Sequence, residues 1–209
     1  MSTVLEPDVL ESIPPLSHVN GRIYTPDDLL QMPEEGRFEL VDGQLVERNM
    51  GSESSQVTGR VFLRIGTFVE VNAAGVVFPS DCGYQIYPRR PKLVRFPDTS
   101  FVRTGRLPSN VAPKGHMRIV PDFVLEVVSP NDLACEVEAK IEEYLSVAVP
   151  LIWVVYPGSR SVYVYGAGKS VARLGVGDTL TADDVLPGFS CPVADIFPAH
   201  VETSQDQPQ

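Results

Sequence analysis

Two ionisable residues stand in segments that are otherwise apolar, and both side chains suit phosphate chemistry. The first is Glu126, inside the strand-like run over 122–128. Burying a lone carboxylate costs several kcal/mol unless the group is paired, hydrogen-bonded or bound to a metal. A buried ion pair with a neighbouring Arg or Lys explains Glu126 as well as a metal site does, so this residue alone leaves both interpretations open.

The second is Lys140, which lies in a predicted amphipathic helix. At about 100° per residue, the apolar residues of this helix form one stripe, which comprises Leu133, Val137, Ile141, Tyr144 and Ala148. Lys140 falls within the stripe, whereas the glutamates of the helix point elsewhere. The amine is therefore predicted to face the sheet. A lysine that bends outward past its apolar neighbours is the alternative.

Asp98 and Glu39 give weaker signals of the same kind. Asp98 follows Pro97 at the opening of a strand-like run, although Pro-Asp pairs are also common in turns. Glu39 lies in the strand-like segment 38–41, although one face of a hairpin often meets solvent. Together, acids on two strands and a lysine from a covering helix match what Mg²⁺ requires, since this ion is bound by carboxylates, water and substrate phosphate oxygens. A lysine beside such an ion can orient or help deprotonate a water and stabilise charge on the phosphate.

Periodicity and turn residues indicate the elements that must position these side chains. Asp42-Gly43 supplies the positive φ angles of a two-residue hairpin turn, and the segment 129–132 is predicted to cap the helix that carries Lys140. The predicted elements are a Thr25-capped helix to about Met32, a hairpin over 37–48, a helix over 52–71, strands over 75–78, 83–87, 95–103 and 119–128, a loop over 104–117, a helix over 133–147 and a hairpin over 151–165. They predict a single α/β domain over 22–197, with a central mixed sheet flanked by helices, a flexible segment over 1–21 and a disordered tail over 198–209.

Composition limits the classes of function. The chain has 209 residues, with 17 Lys and Arg against 27 Asp and Glu, and a formal net charge of −10. Proteins that bind nucleic acid through non-specific phosphate contacts usually carry a basic surface, so a nucleic-acid role requires a local basic patch or metal ions. The three cysteines form no metal-finger spacing. No apolar run of membrane-spanning length and no secretory signal are present, which predicts a cytoplasmic protein without a membrane partner.

The order of these motifs resembles the Uma-two family of putative restriction endonucleases, within the PD-(D/E)xK nuclease superfamily. The likeness begins at the hairpin segment 38–46, continues through Pro97-Asp98 and the run Glu-Val-Val-Ser-Pro over 126–130, and closes with Lys140, Tyr144 and the segment 153–157. The resemblance implies a restriction-endonuclease-like fold and a metal-dependent phosphodiesterase. Asp98 and Glu126 would hold Mg²⁺ or Mn²⁺, Lys140 would position and activate the water, and Glu39 would be an accessory catalytic residue.

The chain departs from the family pattern at two places. The superfamily lysine normally lies two positions after the Glu, where this chain has Val128, and Lys140 would replace it from the helix. Family members often carry a His near the start of the long helix, where this chain has Ser54-Ser55-Gln56. None of the three histidines can be assigned that role from the sequence; they are His18, His116 and His200.

The functional hypothesis is therefore a Mg²⁺-dependent endonuclease that cleaves nucleic acid, with DNA as the preferred substrate and a homodimer as a suitable form for cutting both strands. The densest basic stretch is predicted to contact the substrate backbone, with a solvated loop as an equal alternative; it comprises Arg89, Arg90, Lys92 and Arg95. A non-catalytic scaffold with the same fold is the competing hypothesis, because the family histidine is missing and the chain is acidic. A hydrolase of another phosphate-containing substrate is a third.

Overall fold

A six-stranded mixed sheet forms the centre of the fold in a computed structural model of the protein, which describes residues 22–32, 38–48, 51–166 and 170–199. The strands of this sheet lie in the order β3-β4-β5-β6-β7-β8, and only β5 and β6 pair in parallel. The elements in these residues are α1 (Pro26–Leu30), β1 (Phe38–Val41), β2 (Gln44–Glu47), α2 (Ser52–Val71), β3 (Gly75–Pro79), β4 (Thr99–Arg103), β5 (Phe123–Val127), α3 (Ala134–Ser146), β6 (Leu151–Tyr156), β7 (Ser161–Tyr165), β8 (Val171–Leu174), β9 (Thr179–Thr181) and β10 (Ser190–Pro192), with 3₁₀ turns at Pro108–Asn110 and Val193–Ile196.

Helices cover both faces of the sheet, which explains the nearly continuous apolar sequence of β5. Leu125 and Trp153 face α2, whose buried residues recur every four positions, as at Val57 and Val61. Val124 and Val154 face the other way, against Tyr144 of α3. Because side chains alternate along a strand, Glu126 shares a face with Val124 and points toward α3.

The N-terminal hairpin is a separate two-stranded sheet that packs beside the central one. Its turn residues Asp42 and Gly43 have φ angles of 50° and 88°, as the Asp-Gly pair predicts. The hairpin is attached through backbone hydrogen bonds in both directions between Leu40 and Val94. This attachment brings Glu39 over the same face of the main sheet as Glu126.

The structure confirms the α/β class and most of the predicted elements. α1 begins after the Thr25 cap with a capping box to Asp28, and α2 has the predicted bounds. Residues 1–21 and 200–209 lie outside the described residues, so the flexible segment and the tail remain predictions.

Three local predictions were wrong. Only isolated bridges at Tyr84 form within 83–87, and the strand predicted over 95–103 begins at Thr99, because Pro97 has no N–H to donate to a ladder. The segment 129–132 does not cap α3: its N-cap is Leu133, and Asp132 accepts from the Ser129 amide instead. The strands β8, β9 and β10 were not predicted; they are short, and their exposed residues leave little apolar periodicity.

Two glycine-to-alanine substitutions should have opposite effects on the free energy of unfolding. A Cβ at Gly75 would lie 2.2 Å from the carbonyl oxygen of Val102, so Gly75→Ala must separate β3 from β4 and should destabilise the protein by about 2 kcal/mol or more. A Cβ at Gly66 in α2 would meet nothing within 4 Å, so Gly66→Ala should stabilise by about 0.5–1 kcal/mol. Urea denaturation measures both, and equal stability of Gly75→Ala and the parent would contradict the close approach of the strands.

Candidate active site

Lys140 lies between two carboxylates that come from different sheets. Its Nζ is 3.2 Å from Oε2 of Glu39 in the hairpin and 3.5 Å from Oε2 of Glu126 in β5. The side chain of Lys140 is 23% exposed, and that of Glu39 only 2%. The helical periodicity thus predicted the direction of this side chain correctly: the amine faces the sheet and does not bend outward to solvent.

The charge of Lys140 follows from these two neighbours. Burial favours the neutral amine, but the carboxylates of Glu126 and Glu39 outweigh it and raise the pKa of Lys140 above its ordinary value. The side chain is therefore an ammonium group at neutral pH. It can donate hydrogen bonds and stabilise negative charge. The predicted help in deprotonating a water stays a prediction.

Glu126 is held by α3 from the opposite side. The Tyr144 hydroxyl donates to Oε1 of Glu126 at 2.7 Å, which leaves Oε2 toward Lys140. Burial is the largest influence on this carboxyl and raises its pKa to about 7; Lys140 opposes the rise, and the charges of Asp98 and Glu39 add to it. A cation between the carboxylates would relieve this repulsion.

Asp98 lies one residue before β4, beyond the last β4–β5 pair, Thr99 with Leu125. Its Oδ2 accepts from the Val127 amide at 2.7 Å, which fixes the carboxyl beside the end of β5. Oδ1 faces Arg48 at 3.5 Å, and the side chain is 25% exposed. Burial raises the pKa of Asp98, against the effects of the Val127 amide and of Arg48. The structure thus places Asp98 and Glu126 at the same end of adjacent strands.

Glu39 is the most strongly compensated acid of the site. Oε2 accepts from Nη1 of Arg95 at 2.7 Å, and Oε1 accepts from the Phe96 amide at 3.1 Å. Burial opposes its ionisation, but Lys140, Arg95 and Arg48 together lower the pKa of Glu39 to about 2. Glu39 is therefore ionised at every physiological pH, and its lone pairs already have partners.

The donor set suits a hard divalent cation bound in part by substrate. In residues 22–32, 38–48, 51–166 and 170–199, no three His, Cys, Asp or Glu side chains are grouped so that they could hold a metal ion. Mg²⁺ does not require such a cage, because it is commonly bound by one or two carboxylates, waters and substrate phosphates. Asp98 and Glu126 supply two carboxylates, and burial beside a second negative charge makes Glu126 a group that gains from a cation. The residues present therefore fit the predicted metal.

The predicted basic stretch is divided between two environments. Arg95 is 6% exposed and donates to Glu39 and Glu143, so the prediction that it contacts substrate is wrong. Arg90 donates to Asp42 and Glu143, and its side chain is 36% exposed, so its predicted contact with substrate stays a prediction. Arg89 and Lys92 are exposed.

The sequence alone did not indicate two charged residues around the site. Glu143 and Arg48 both have charged side chains close to it, at 10% exposure each. Glu143 follows Lys140 by three positions, and that helical spacing was the one available signal. His116 is buried, with Nε2 3.0 Å from the Pro26 carbonyl oxygen and T-shaped against Phe96, so it does not replace the missing histidine at the start of α2.

Comparison with known families gives a match over most of the chain. Residues 26–194 match the family model Uma2, described as putative restriction endonuclease. The chain belongs to this family. The predicted resemblance is confirmed, and membership of the Uma2 family supports a nuclease, a hydrolase that acts on nucleic acid.

A solved structure shows the same fold. The crystal structure of a putative nuclease belonging to DUF820 from Anabaena variabilis ATCC 29413 is similar, with a TM-score of 0.69 and 19% identity, covering 83% of this chain and 97% of that chain. The comparison with curated proteins finds no match. Among the residues that the structure describes, no helix has the length and apolar character needed to cross a bilayer.

The raised pKa of Glu126 predicts a pH-dependent stability difference in metal-free protein. The folded state holds this proton more tightly than the unfolded state, whose carboxyl has its ordinary pKa near 4.5, so ionisation of Glu126 lowers stability as the pH rises from about 4.5 through 7. Glu126→Gln has no such ionisation. Its stability relative to the parent should therefore rise by about 2–3 kcal/mol between pH 5 and pH 8.

Thermal denaturation in a chelator at several pH values measures this difference. Glu142→Gln is the matched control, since it makes the same substitution at an exposed position of the same helix. A stability difference for Glu126→Gln that is constant over this pH range would contradict the raised pKa of the buried Glu126 carboxyl.

Proposed function

We propose that this Uma2-family protein is a metal-dependent endonuclease that hydrolyses the phosphodiester bonds of DNA. The observation that carries the proposal is the position of Lys140, whose ammonium lies 3.5 Å from Glu126 at the strand end that also holds Asp98. Two carboxylates and a cation are thus gathered where apolar side chains would be less costly to bury. A site required only for stability would not need this combination.

Asp98 and Glu126 are the proposed ligands of Mg²⁺ or Mn²⁺. When bound, such an ion polarises a phosphoryl oxygen and lowers the pKa of a coordinated water. Asp98 is oriented for this task by the Val127 amide, and Glu126 by the Tyr144 hydroxyl. Because Glu126 has a pKa of about 7, it must lose a proton before it can act as a ligand, which favours binding above neutral pH.

Lys140 is proposed to position the attacking water and to stabilise negative charge that develops on the phosphate. It acts as a hydrogen-bond donor, since its pKa is raised. Glu39 is proposed as an accessory residue that holds the ammonium in place through Oε2. Arg89 and Lys92, the exposed members of the basic stretch, remain proposed contacts to the substrate backbone.

DNA as substrate and a homodimer as the active form are supported by the restriction-endonuclease description of the family, because a two-fold dimer presents one site to each strand. A catalytically inactive scaffold is the second candidate. One observation favours it: the start of α2, where family members often carry a histidine, uses Ser54 to cap the helix at Gly51. The net charge of −10 also gives the chain little general attraction to DNA.

Nuclease activity is tested by incubating the full chain with supercoiled plasmid and with short duplexes in Mg²⁺ and in Mn²⁺. Asp98→Asn, Glu126→Gln and Lys140→Met should each lower the cleavage rate by about 100-fold or more, because each removes a charge from the reacting centre. Glu142→Gln and Lys114→Met remove exposed charges of the same types and should retain the parent rate within about twofold. Unchanged cleavage by Asp98→Asn and Glu126→Gln would refute the assignment of the site.

Calorimetric titration with Mn²⁺ separates the enzyme from the scaffold without using activity. The parent should bind Mn²⁺, and Asp98→Asn and Glu126→Gln should each weaken the binding by about tenfold or more, since each removes one of two carboxylates. Binding should also weaken below about pH 7, where Glu126 becomes protonated. A parent protein without a Mn²⁺ site at these carboxylates would favour the scaffold.

A further inference from the structure

A row of alternating charges connects the hairpin turn with the proposed active site. We call it the charge row; its members, each in contact with the next, are Asp42, Arg90, Glu143, Arg95, Glu39, Lys140 and Glu126. The row crosses the hairpin, the segment before β4, helix α3 and strand β5. Glu143, Arg95 and Glu39 are almost entirely removed from water, so the position of each of these charges depends on its neighbours in the row.

Glu39 is the point at which two cations compete. Its Oε2 atom lies 2.7 Å from Nη1 of Arg95 and 3.2 Å from Nζ of Lys140. The shorter contact belongs to Arg95, which has little freedom to leave, because Nε and Nη2 donate to the two oxygens of Glu143 at 2.6 and 3.1 Å. Lys140 makes the longer of the two contacts with Glu39 and has a flexible side chain, so it is the cation that can move.

We propose that Arg95 is a positioning residue that occupies Glu39 and thereby keeps the ammonium of Lys140 shared with Glu126 and available to the substrate. This inference rests on the proposed function in so far as Lys140 acts on a substrate. The effect of Arg95 on the position of Lys140 does not depend on that function. Lys140 has to face Glu126 to act on a phosphate held there. Arg95 prevents its capture by the more deeply buried acid.

The physical reason is the cost of an uncompensated buried charge. Glu39 is 2% exposed, so removal of Arg95 leaves a carboxylate that water cannot reach and that must take its compensation from the nearest cation. That cation is Lys140, and closer contact with Glu39 draws it away from Glu126. Removing the Glu39 charge as well should abolish the electrostatic attraction that draws Lys140 toward Glu39. The double variant keeps the Lys140–Glu126 pair and the Arg90–Glu143 pair intact.

The first test compares turnover in Arg95→Met, Glu39→Gln and the double variant with Mg²⁺ and a plasmid substrate. Arg95→Met should lower kcat by about tenfold or more with KM changed less than about threefold, since a mispositioned lysine affects the reacting centre more than substrate binding. The double variant should recover to within about threefold of Glu39→Gln. Arg106→Met is the matched control, because it removes a 2.6 Å ion pair with the buried Asp122 outside the charge row and should leave kcat within about twofold of the parent.

Rates are compared at a fixed number of degrees below the Tm of each variant, so that a loss of stability is not mistaken for a loss of catalytic activity. If Arg95→Met does not fold, Arg95→Lys takes its place: it keeps a cation at the position but cannot reproduce the two-atom contact with Glu143, and the same loss of kcat is expected at a smaller size. A double variant no more active than Arg95→Met would overturn the proposal, because a merely structural role is not rescued by a second lost contact.

The second test does not use activity, so it separates failure of this inference from failure of the proposed function. In crystal structures of metal-free parent and Arg95→Met, the Lys140 Nζ to Glu39 Oε2 distance should shorten in the variant, and the Nζ to Glu126 Oε2 distance should lengthen beyond the 3.5 Å of the parent. Unchanged distances would overturn the inference even if the parent cleaves DNA. Absence of cleavage by the parent, with the expected shift of Lys140, would overturn the proposed function and support the inference.

Discussion

The constraint that governs this structure is the removal of several charges from water in one place. The ammonium of Lys140 remains charged because carboxylates from the hairpin and from β5 flank it, and these carboxylates are tolerable only because donors surround them in turn. The compensating groups come from several segments of the chain: Arg95 and the Phe96 amide before β4, and Lys140 and Tyr144 in α3. Electrostatic interactions as well as packing therefore hold the hairpin, the segment before β4 and helix α3 together. A shift of any one of them would expose a buried charge or leave it without its partner.

The local parts of the fold and site could be predicted from the sequence. The Asp-Gly turn, the Thr25 cap and the periodicity of α2 depend on neighbours within a few residues. Glu126 and Lys140 could also be recognised, because the sequence alone shows an ionisable residue within an apolar pattern. What brought them together was the βαβ connection, in which the helix after a buried strand packs back onto that strand.

The remainder depends on contacts between distant segments, and these leave no pattern in the sequence. Arg95 belongs to a basic stretch that suggests a solvated surface, yet it is buried because Glu39 and Glu143 meet it from elsewhere in the chain. Asp98 gains its orientation from an amide of β5. The late start of β4 could have been predicted from the sequence, because Pro97 has no N–H to donate. The prediction of a strand over 95–103 gave more weight to the apolar residues around Pro97.

The hairpin that carries Glu39 has a consequence for the order of assembly. During synthesis it leaves the ribosome long before α3, and its own two-stranded sheet is too small to be stable alone. Glu39 can meet Arg95 and Lys140 only after the segment before β4 and then α3 have been made. Glu126 and Lys140 belong to consecutive elements and meet through a short chain loop, which is a much faster event. Sequence separation therefore favours early contact of Glu126 with Lys140 and later docking of the hairpin, and this docking is what removes Glu39 from water.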